Sequence, residues 1–192
     1  MRPAEIADAE AIRTIYNHEV VNHTTTLDMV PRTLEAQEQW IEQRSGAFSA
    51  VVAVLRAPDD QARDVPARDD PARNDPDDDG PVGVDPDDVG SVVGFAALSA
   101  YKERAAYAPT VENSVYVSRD HGGMGIGRAL MDHLIERASA SGFHSIIARV
   151  EASSEASLAL HRACGFELIG VERQTGRKHH RWLDVAILQR ML

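Results

Sequence analysis

Val111-Glu112-Asn113-Ser114-Val115-Tyr116-Val117, then Gly122-Gly123-Met124-Gly125-Ile126-Gly127, then an apolar-periodic stretch from Ala129 to Ala138, decide the fold. The first run alternates apolar and polar residues with the period of a strand, and the last carries the longer period of a helix. A strand that turns through glycines into a helix start is an anion cradle. The N–H groups of a helix's first turn have no partner within the helix and lie at the positive end of its dipole, so a phosphate or pyrophosphate is held there without a basic side chain. Glycine lets such a loop wrap closely, because a positive φ costs it little and no Cβ intervenes.

Spacing excludes two common phosphate loops. A dinucleotide fingerprint requires a third glycine three places after Gly125, where this chain has Arg128, and an acidic residue about twenty positions on in a Rossmann repeat. A P-loop requires Lys and then Ser or Thr after Gly127, where Arg128 and Ala129 stand. The plain alternative is that glycines only punctuate a tight connection, but four glycines in six residues exceed what a turn needs.

The run Ser114 to Leu130 resembles the coenzyme A loop of the GNAT acetyltransferase superfamily, (Arg/Gln)-x-x-Gly-x-(Gly/Ala), with Gly125 and Gly127 in its two small positions and Gly122 where Arg or Gln is usual. Further stretches are similar to one branch, the phosphinothricin and methionine sulfoximine N-acetyltransferases: Ile15 to Val21, Thr24-Thr25-Thr26, Ala106 to Glu112, Leu160 to Phe166 and Trp182 to Val185. The resemblance implies a mixed α/β fold, a central mixed sheet flanked by helices, that commonly dimerises. It implies transfer of acetyl from acetyl-CoA to the α-amine of a small amino-acid-like acceptor.

That resemblance also implies a site. Contacts to the co-substrate fall to Val115, Tyr116 and Val117 on the strand, to Gly123, Met124, Gly125, Ile126, Gly127 and Arg128 on the loop and helix start, and to Ser154, where the branch has Asn. Backbone N–H groups around Val115 to Val117 would face the oxyanion. A strand splayed from its neighbour there would leave such groups free for the peptide-like pantetheine amides. Thr110-Val111-Glu112 coincides with the family's Thr-Val-Glu signature and makes Glu112 the candidate base; among apolar neighbours its pKa should rise. His161 stands where the superfamily commonly has Tyr. The roles open to it are protonating the departing thiolate, holding a water, or only packing and bonding near the pantetheine. Lys102 to Tyr107 matches the branch's substrate loop, which assigns Arg104, Ala106 and Tyr107 to the acceptor, Arg104 as a bidentate carboxylate anchor. His18, Glu19 and Thr25 are further candidates to face the acceptor. No metal is expected: Lys178-His179-His180-Arg181 reads as a hairpin turn between the last two strands.

At 192 residues one domain is expected, interrupted by a compositional break. Arg56 to Gly90 holds twelve Asp and four Arg, a net of −8 within a chain of −10, with almost no large apolar residue. Such a stretch cannot bury enough surface to offset its ordering entropy, so a disordered insertion replacing a hairpin turn is expected. The body then carries about −2, and neither a basic stripe for nucleic acid nor an apolar run for a membrane is present. One cysteine, Cys164, fits a reducing compartment and a buried packing role; cytoplasm is the default. Two Lys against eighteen Arg, with the Asp-rich stretch, suggest a high-salt organism.

The coarse expectation has Asp8 capping a helix to about 18 and Thr33 capping another to 44. Strands follow at 50–55, 92–100 and 111–117, then a helix at 125–141, a strand at 145–150, a helix at 154–164, and strands at 166–174 and 182–190. The chain begins almost at its first helix, so the superfamily's opening strand should be short or missing, with residues upstream of Met1 absent. Other functions carried forward are a transferase for protein N-termini or polyamines, and an acetyl-CoA-binding module without turnover, which Gly122 and Ser154 would suit.

Overall fold

Thr33 shows how locally this chain sets its elements: its side chain accepts the Ala36 N–H at 3.1 Å and so starts the helix Leu34–Glu42. The computed structural model describes residues 1–48, 50–55 and 90–192. In order these form β1 (Arg2–Pro3), α1 (Ala9–Asn22), α2 (Leu34–Glu42), β2 (Val51–Val54), β3 (Val92–Ala100), β4 (Thr110–Val117), α3 (Ile126–Ala140), β5 (Ser145–Glu151), α4 (Glu155–Ala163), β6 (Glu167–Lys178) and β7 (Arg181–Met191). The strands make one sheet in the order β1-β2-β3-β4-β5-β7-β6. The expected mixed sheet is there: β4 and β5 run parallel, and the other neighbours are antiparallel. The expectation for the acidic stretch from Arg56 lies outside the described residues; at its edges Gly90 N–H bonds the Leu55 carbonyl at 2.9 Å, and β2 and β3 are antiparallel neighbours.

Strand alternation sorts the core into two layers. Ala96 and Leu98 of β3, Val111 of β4 and Ile146 of β5 face α3, whose Leu130, Met131, Leu134 and Ala138 are all fully buried. Phe95 of β3 and Val52 of β2 turn to the opposite face and meet Ile12, Ile15, Tyr16 and Val20 of α1. The α3 layer comes close over Gly94, where an added Cβ would lie 3.0 Å from the Tyr116 carbonyl and 3.2 Å from Leu130.

The ladder between β4 and β5 is short. It holds Thr110↔Ser145, Val111↔Ile146 and Glu112↔Ile147 and then stops, although β4 runs on to Val117 beside β3 and β5 to Glu151 beside β7. Each strand follows its other neighbour, and a gap opens between them.

Two local expectations change. Asp8 sits at the start of α1 without capping it: its carboxylate accepts from Arg2 and from the Glu5 N–H at 2.8 Å, closing a 3-10 turn instead. The last hairpin is longer than its glycines suggest. Gly176 lies inside β6, where an added Cβ would meet the Leu27 tip at 2.9 Å, and the turn is made by His179 and His180, both with positive φ. The Lys178 to Arg181 segment is thus a hairpin turn, as expected. No helix among the described residues is long and apolar enough to cross a membrane.

Candidate active site

The gap between β4 and β5 widens into a cavity of about 780 Å³, floored by both strands and walled by the glycine loop, the start of α4 and the segment after α1. Its polar floor follows from ladder phase. Ser118 N–H bonds the Val93 carbonyl at 2.8 Å, so alternation along β4 turns the backbone groups of Tyr116 toward β3 and those of Val115 and Val117 away from it. Beyond Glu112 no β5 ladder pair receives them. Of the three strand residues expected to offer N–H groups, Val115 and Val117 do so; Tyr116 instead places its ring at the cavity wall against Tyr16 and Phe95.

The glycine loop forms the second wall. Gly123 and Gly125 hold φ of +78° and +75°, a region that L side chains rarely adopt, and space where their Cβ atoms would stand is empty to 4 Å. Gly125 is the N-cap of α3, and the first helical bond is Ala129 N–H to its carbonyl at 3.0 Å. The N–H groups of Ile126, Gly127 and Arg128 are therefore unspent within the helix. The Arg128 side chain takes no part: it donates to Asp132 at 2.8 Å and to the Ala163 carbonyl at 2.8 Å, bracing α3 against α4. Met124 borders a neighbouring recess of about 170 Å³ rather than the main cavity. Ser154 lines the main cavity and does not spend its hydroxyl capping α4. An open glycine bend, unspent helix N–H groups and free strand amides in line suit a phosphate joined to a peptide-like arm, which is what acetyl-CoA presents.

Neighbouring β4 residues face opposite ways. Asn113 points toward α3 and α4. His161 Nδ1 lies 2.7 Å from the Ser157 carbonyl, which can only accept, so that nitrogen carries the proton; Nε2 then accepts from Asn113 Nδ2 at 3.1 Å. Burial pushes the His161 pKa down, against the raising effect of the Ser157 bond. A neutral imidazole with both nitrogens engaged has no proton aimed at the cavity. What it does is fix the Asn113 carboxamide, whose Oδ1 is buried without a hydrogen-bond partner among the described residues.

Glu112 points to the other face, at the cavity edge where the ladder ends. Burial pushes its carboxyl up, and the Arg149 charge pulls the other way. Arg149 lies on β5 and donates to Glu172 Oε2 at 2.6 Å. Across the cavity, buried Glu19 accepts both arms of the Arg119 guanidinium at 2.8 and 2.9 Å and the Thr25 hydroxyl. Burial raises the Glu19 pKa, but the Arg119 and Thr25 bonds outweigh it and leave it below the usual carboxylate range. His18 and His23 bring ring nitrogens within 4.8 Å of Glu19, a spacing that would suit a metal ion, but that carboxylate is spent on Arg119. Thr24 bonds Glu151 at 3.4 Å, tying the segment after α1 to β5.

The structure thus gathers Glu112, Val115, Tyr116, Val117, most of the glycine loop, Ser154 and His161 around one cavity, with Glu19 and Thr25. It does not bring Arg104, Ala106 and Tyr107 there: they lie exposed on the β3–β4 connection, outside the cavity lining. Asn113, Arg119 and Arg149 were missed. The signal for Arg149 was present, a lone charge in the otherwise apolar strand Ile146 to Val150.

Known proteins resemble almost the whole of this chain. The Acetyltransferase (GNAT) family profile matches residues 34–166. The chain is 32% identical over 189 residues to an L-methionine sulfoximine/L-methionine sulfone acetyltransferase of Pseudomonas aeruginosa, covering 98% of this chain and 92% of that protein. Among solved structures, a phosphinothricin acetyltransferase from Sinorhizobium meliloti in complex with AcCoA superposes with a TM-score of 0.78 at 34% identity, covering 100% of this chain and 86% of that one. A ribosomal-protein-alanine N-acetyltransferase from Brucella melitensis gives 0.79 at 33% identity, with coverage of 100% and 98%.

The Glu19–Arg119 pair yields a pH-dependent prediction. A carboxyl whose folded pKa is depressed contributes stability above its unfolded pKa and loses it as pH falls through the folded value. Arg119→Met leaves buried Glu19 with the Thr25 hydroxyl and the neighbouring His18 and His23 rings but no guanidinium, which should cost about 1–2 kcal/mol at pH 7, given that Arg119 is half exposed. The difference from wild type should begin to shrink above the ordinary carboxylate value of about 4 and go on shrinking below it, because burial without Arg119 raises the orphaned carboxyl and protonation relieves it while the wild-type pair still holds its charge. Denaturant melts from pH 7 to 3.5 check this, and a difference constant with pH would contradict it.

Proposed function

The chain belongs to the GNAT acetyltransferase family, and on that premise we propose that it acetylates the α-amine of a free amino acid or close analogue, with Glu112 as the base. It is an acetyl-CoA-dependent N-acetyltransferase. The observation that carries the finer statement is the place of Glu112: a half-buried carboxylate at the last rung of the β4–β5 ladder, on the strand whose Val115 and Val117 amides then lack a β5 ladder partner.

In this account the glycine bend and the N–H groups of Ile126, Gly127 and Arg128 hold the diphosphate, and the strand amides hold the pantetheine arm, so the thioester carbonyl arrives beside Glu112. An α-ammonium must lose a proton before it attacks. Glu112 takes that proton, directly or through water, and its burial-raised pKa brings it nearer the working range. The nitrogen bonds to the carbonyl carbon, the carbon–sulfur bond breaks, and the oxyanion between these events faces the strand N–H donors. The thiolate is protonated from solvent or by the proton the amine releases. We give His161 a positioning role through Asn113, since both its nitrogens are engaged.

Names of relatives support the acceptor class: methionine sulfoximine, methionine sulfone and phosphinothricin are all amino-acid-like. The name of the Brucella structure, a ribosomal-protein-alanine N-acetyltransferase, supports a second acceptor class, an alanine amine of a protein. Free amino acids tested beside alanine-initiated peptides, in low and molar salt, separate the two and test whether the acidic, lysine-poor composition goes with activity at high salt. We also infer a homodimer: β6 and β7 expose Leu168, Ile169, Val171 and Trp182 at 46–60% of their surface, an apolar edge that a second copy would cover. Sedimentation should give a dimer at micromolar concentration; a monomer there refutes it.

Glu112→Gln removes the base and keeps the shape. Its acetyl-CoA affinity by calorimetry should stay within about threefold of wild type, while the transfer rate falls about 10²–10⁴-fold. Unchanged transfer would rule Glu112 out as the base.

A further inference from the structure

Cationic groups around the cavity are not equivalent. Arg119 gives both arms of its fork to Glu19, and Arg128 turns to Asp132 and the Ala163 carbonyl. Lys178 is buried at 2% exposure and directs its ammonium at the carbonyls of Thr26, at 2.8 Å, and Glu19, at 3.3 Å, away from the cavity lining. Arg149 differs from all three. It lines the cavity with its side chain 39% exposed, and one terminal nitrogen donates to Glu172 at 2.6 Å. Its Nε and other terminal nitrogen have no hydrogen-bond partner among the described residues.

Its position matches Glu112. Ile147 is the rung opposite Glu112, and Arg149 follows two residues on, so alternation puts carboxylate and guanidinium on the same face of the sheet. Two residues of strand offset the two backbone positions by roughly 7 Å along the sheet. An α-amino acid carries amine and carboxylate on one carbon; with a hydrogen bond of about 2.8 Å at each end it spans roughly 8–9 Å, an interval that two long side chains rooted at that offset can bracket. Glu172, itself 40% exposed, steadies the guanidinium from one side and leaves the other edge of the fork for a planar carboxylate.

We propose that Arg149 is the acceptor's carboxylate anchor, and that it restricts this enzyme to amines bearing a free α-carboxylate. The proposal rests on the reading of Glu112 as the group that meets the amine. It moves the anchor from Arg104, on the exposed β3–β4 connection, to the floor of the cavity. Amino-acid amides, decarboxylated amines and peptide N-termini offer no carboxylate at that distance and are poor acceptors.

The test compares L-methionine sulfone with its carboxamide, in wild type and in Arg149→Met, with acetyl-CoA binding followed by calorimetry. Wild type prefers the acid. Arg149→Met keeps its acetyl-CoA affinity and melting temperature, loses about 30-fold or more in kcat/KM for the acid, chiefly through KM, and changes less than about threefold toward the amide. Arg149→Lys recovers part of the loss as a point charge without the fork. Survival of the preference in Arg149→Met, or its loss in Arg104→Ala instead, overturns the proposal. Wild type that acetylates acid and amide equally overturns the anchor and leaves acetyl transfer standing; wild type that binds acetyl-CoA but acetylates neither overturns both.

Discussion

Everything at the site depends on β4 and β5 parting after Glu112 and Ile147. Backbone N–H and C=O groups seek partners, and in a continuous sheet those of Val115 and Val117 would be consumed by the neighbouring strand. Here β4 keeps step with β3 and β5 with β7, so these groups face a gap instead. The same strand that supplies them places Glu112 on one face and Asn113 on the other, by nothing more than alternation. In the proposed reaction, a carrier arm threading the gap and an amine arriving from the α1 side would meet at one rung of one ladder. α3 then needs only a glycine bend at its start to turn its unspent N–H groups to the far end of that arm.

Charge at this site is arranged in pairs, and the pairs divide the work. Glu19 is neutralised by Arg119 and held below the ordinary carboxylate range, which suits a post that fixes the segment after α1 against the loop following β4. Among the described residues Glu112 makes no such pair, and it is pushed the other way by burial, with the partial opposition of Arg149. Glu19 and Glu112, lining one cavity, thus acquire opposite tendencies from their surroundings, which is what the proposed division into a structural carboxylate and a base requires. His161 shows a third outcome: fully engaged by Ser157 and Asn113, it sets the orientation of a neighbour.

Much of this was legible in the sequence where a local rule sufficed. β3 falls on the residues its pattern indicated, and Thr33, the glycine bend and α3 follow from capping, spacing and period. Glu112, His161 and Ser154 were legible through resemblance to a family rather than through their own chemistry. What stayed hidden depends on partners distant in the chain. The Asp8 carboxylate is claimed by Arg2 and the Glu5 N–H, and Gly176 serves the Leu27 tip rather than a turn. That Arg149 shares a face with Glu112 requires knowing that β5 lies parallel to β4 and in which register, which no periodicity within either strand reveals. Arg104, conspicuous in the sequence, has no comparable placement, because the β3–β4 connection carries it away from the cavity lining.

Hydrogen exchange with and without acetyl-CoA, followed by mass spectrometry, tests the central claim most directly. If the unpaired strand amides and the helix start grip the carrier, segment 115–128 should gain protection together with the start of α4, while the β6–β7 hairpin stays unchanged. Saturating acetyl-CoA that leaves 115–128 exchanging as in the free protein would contradict the account.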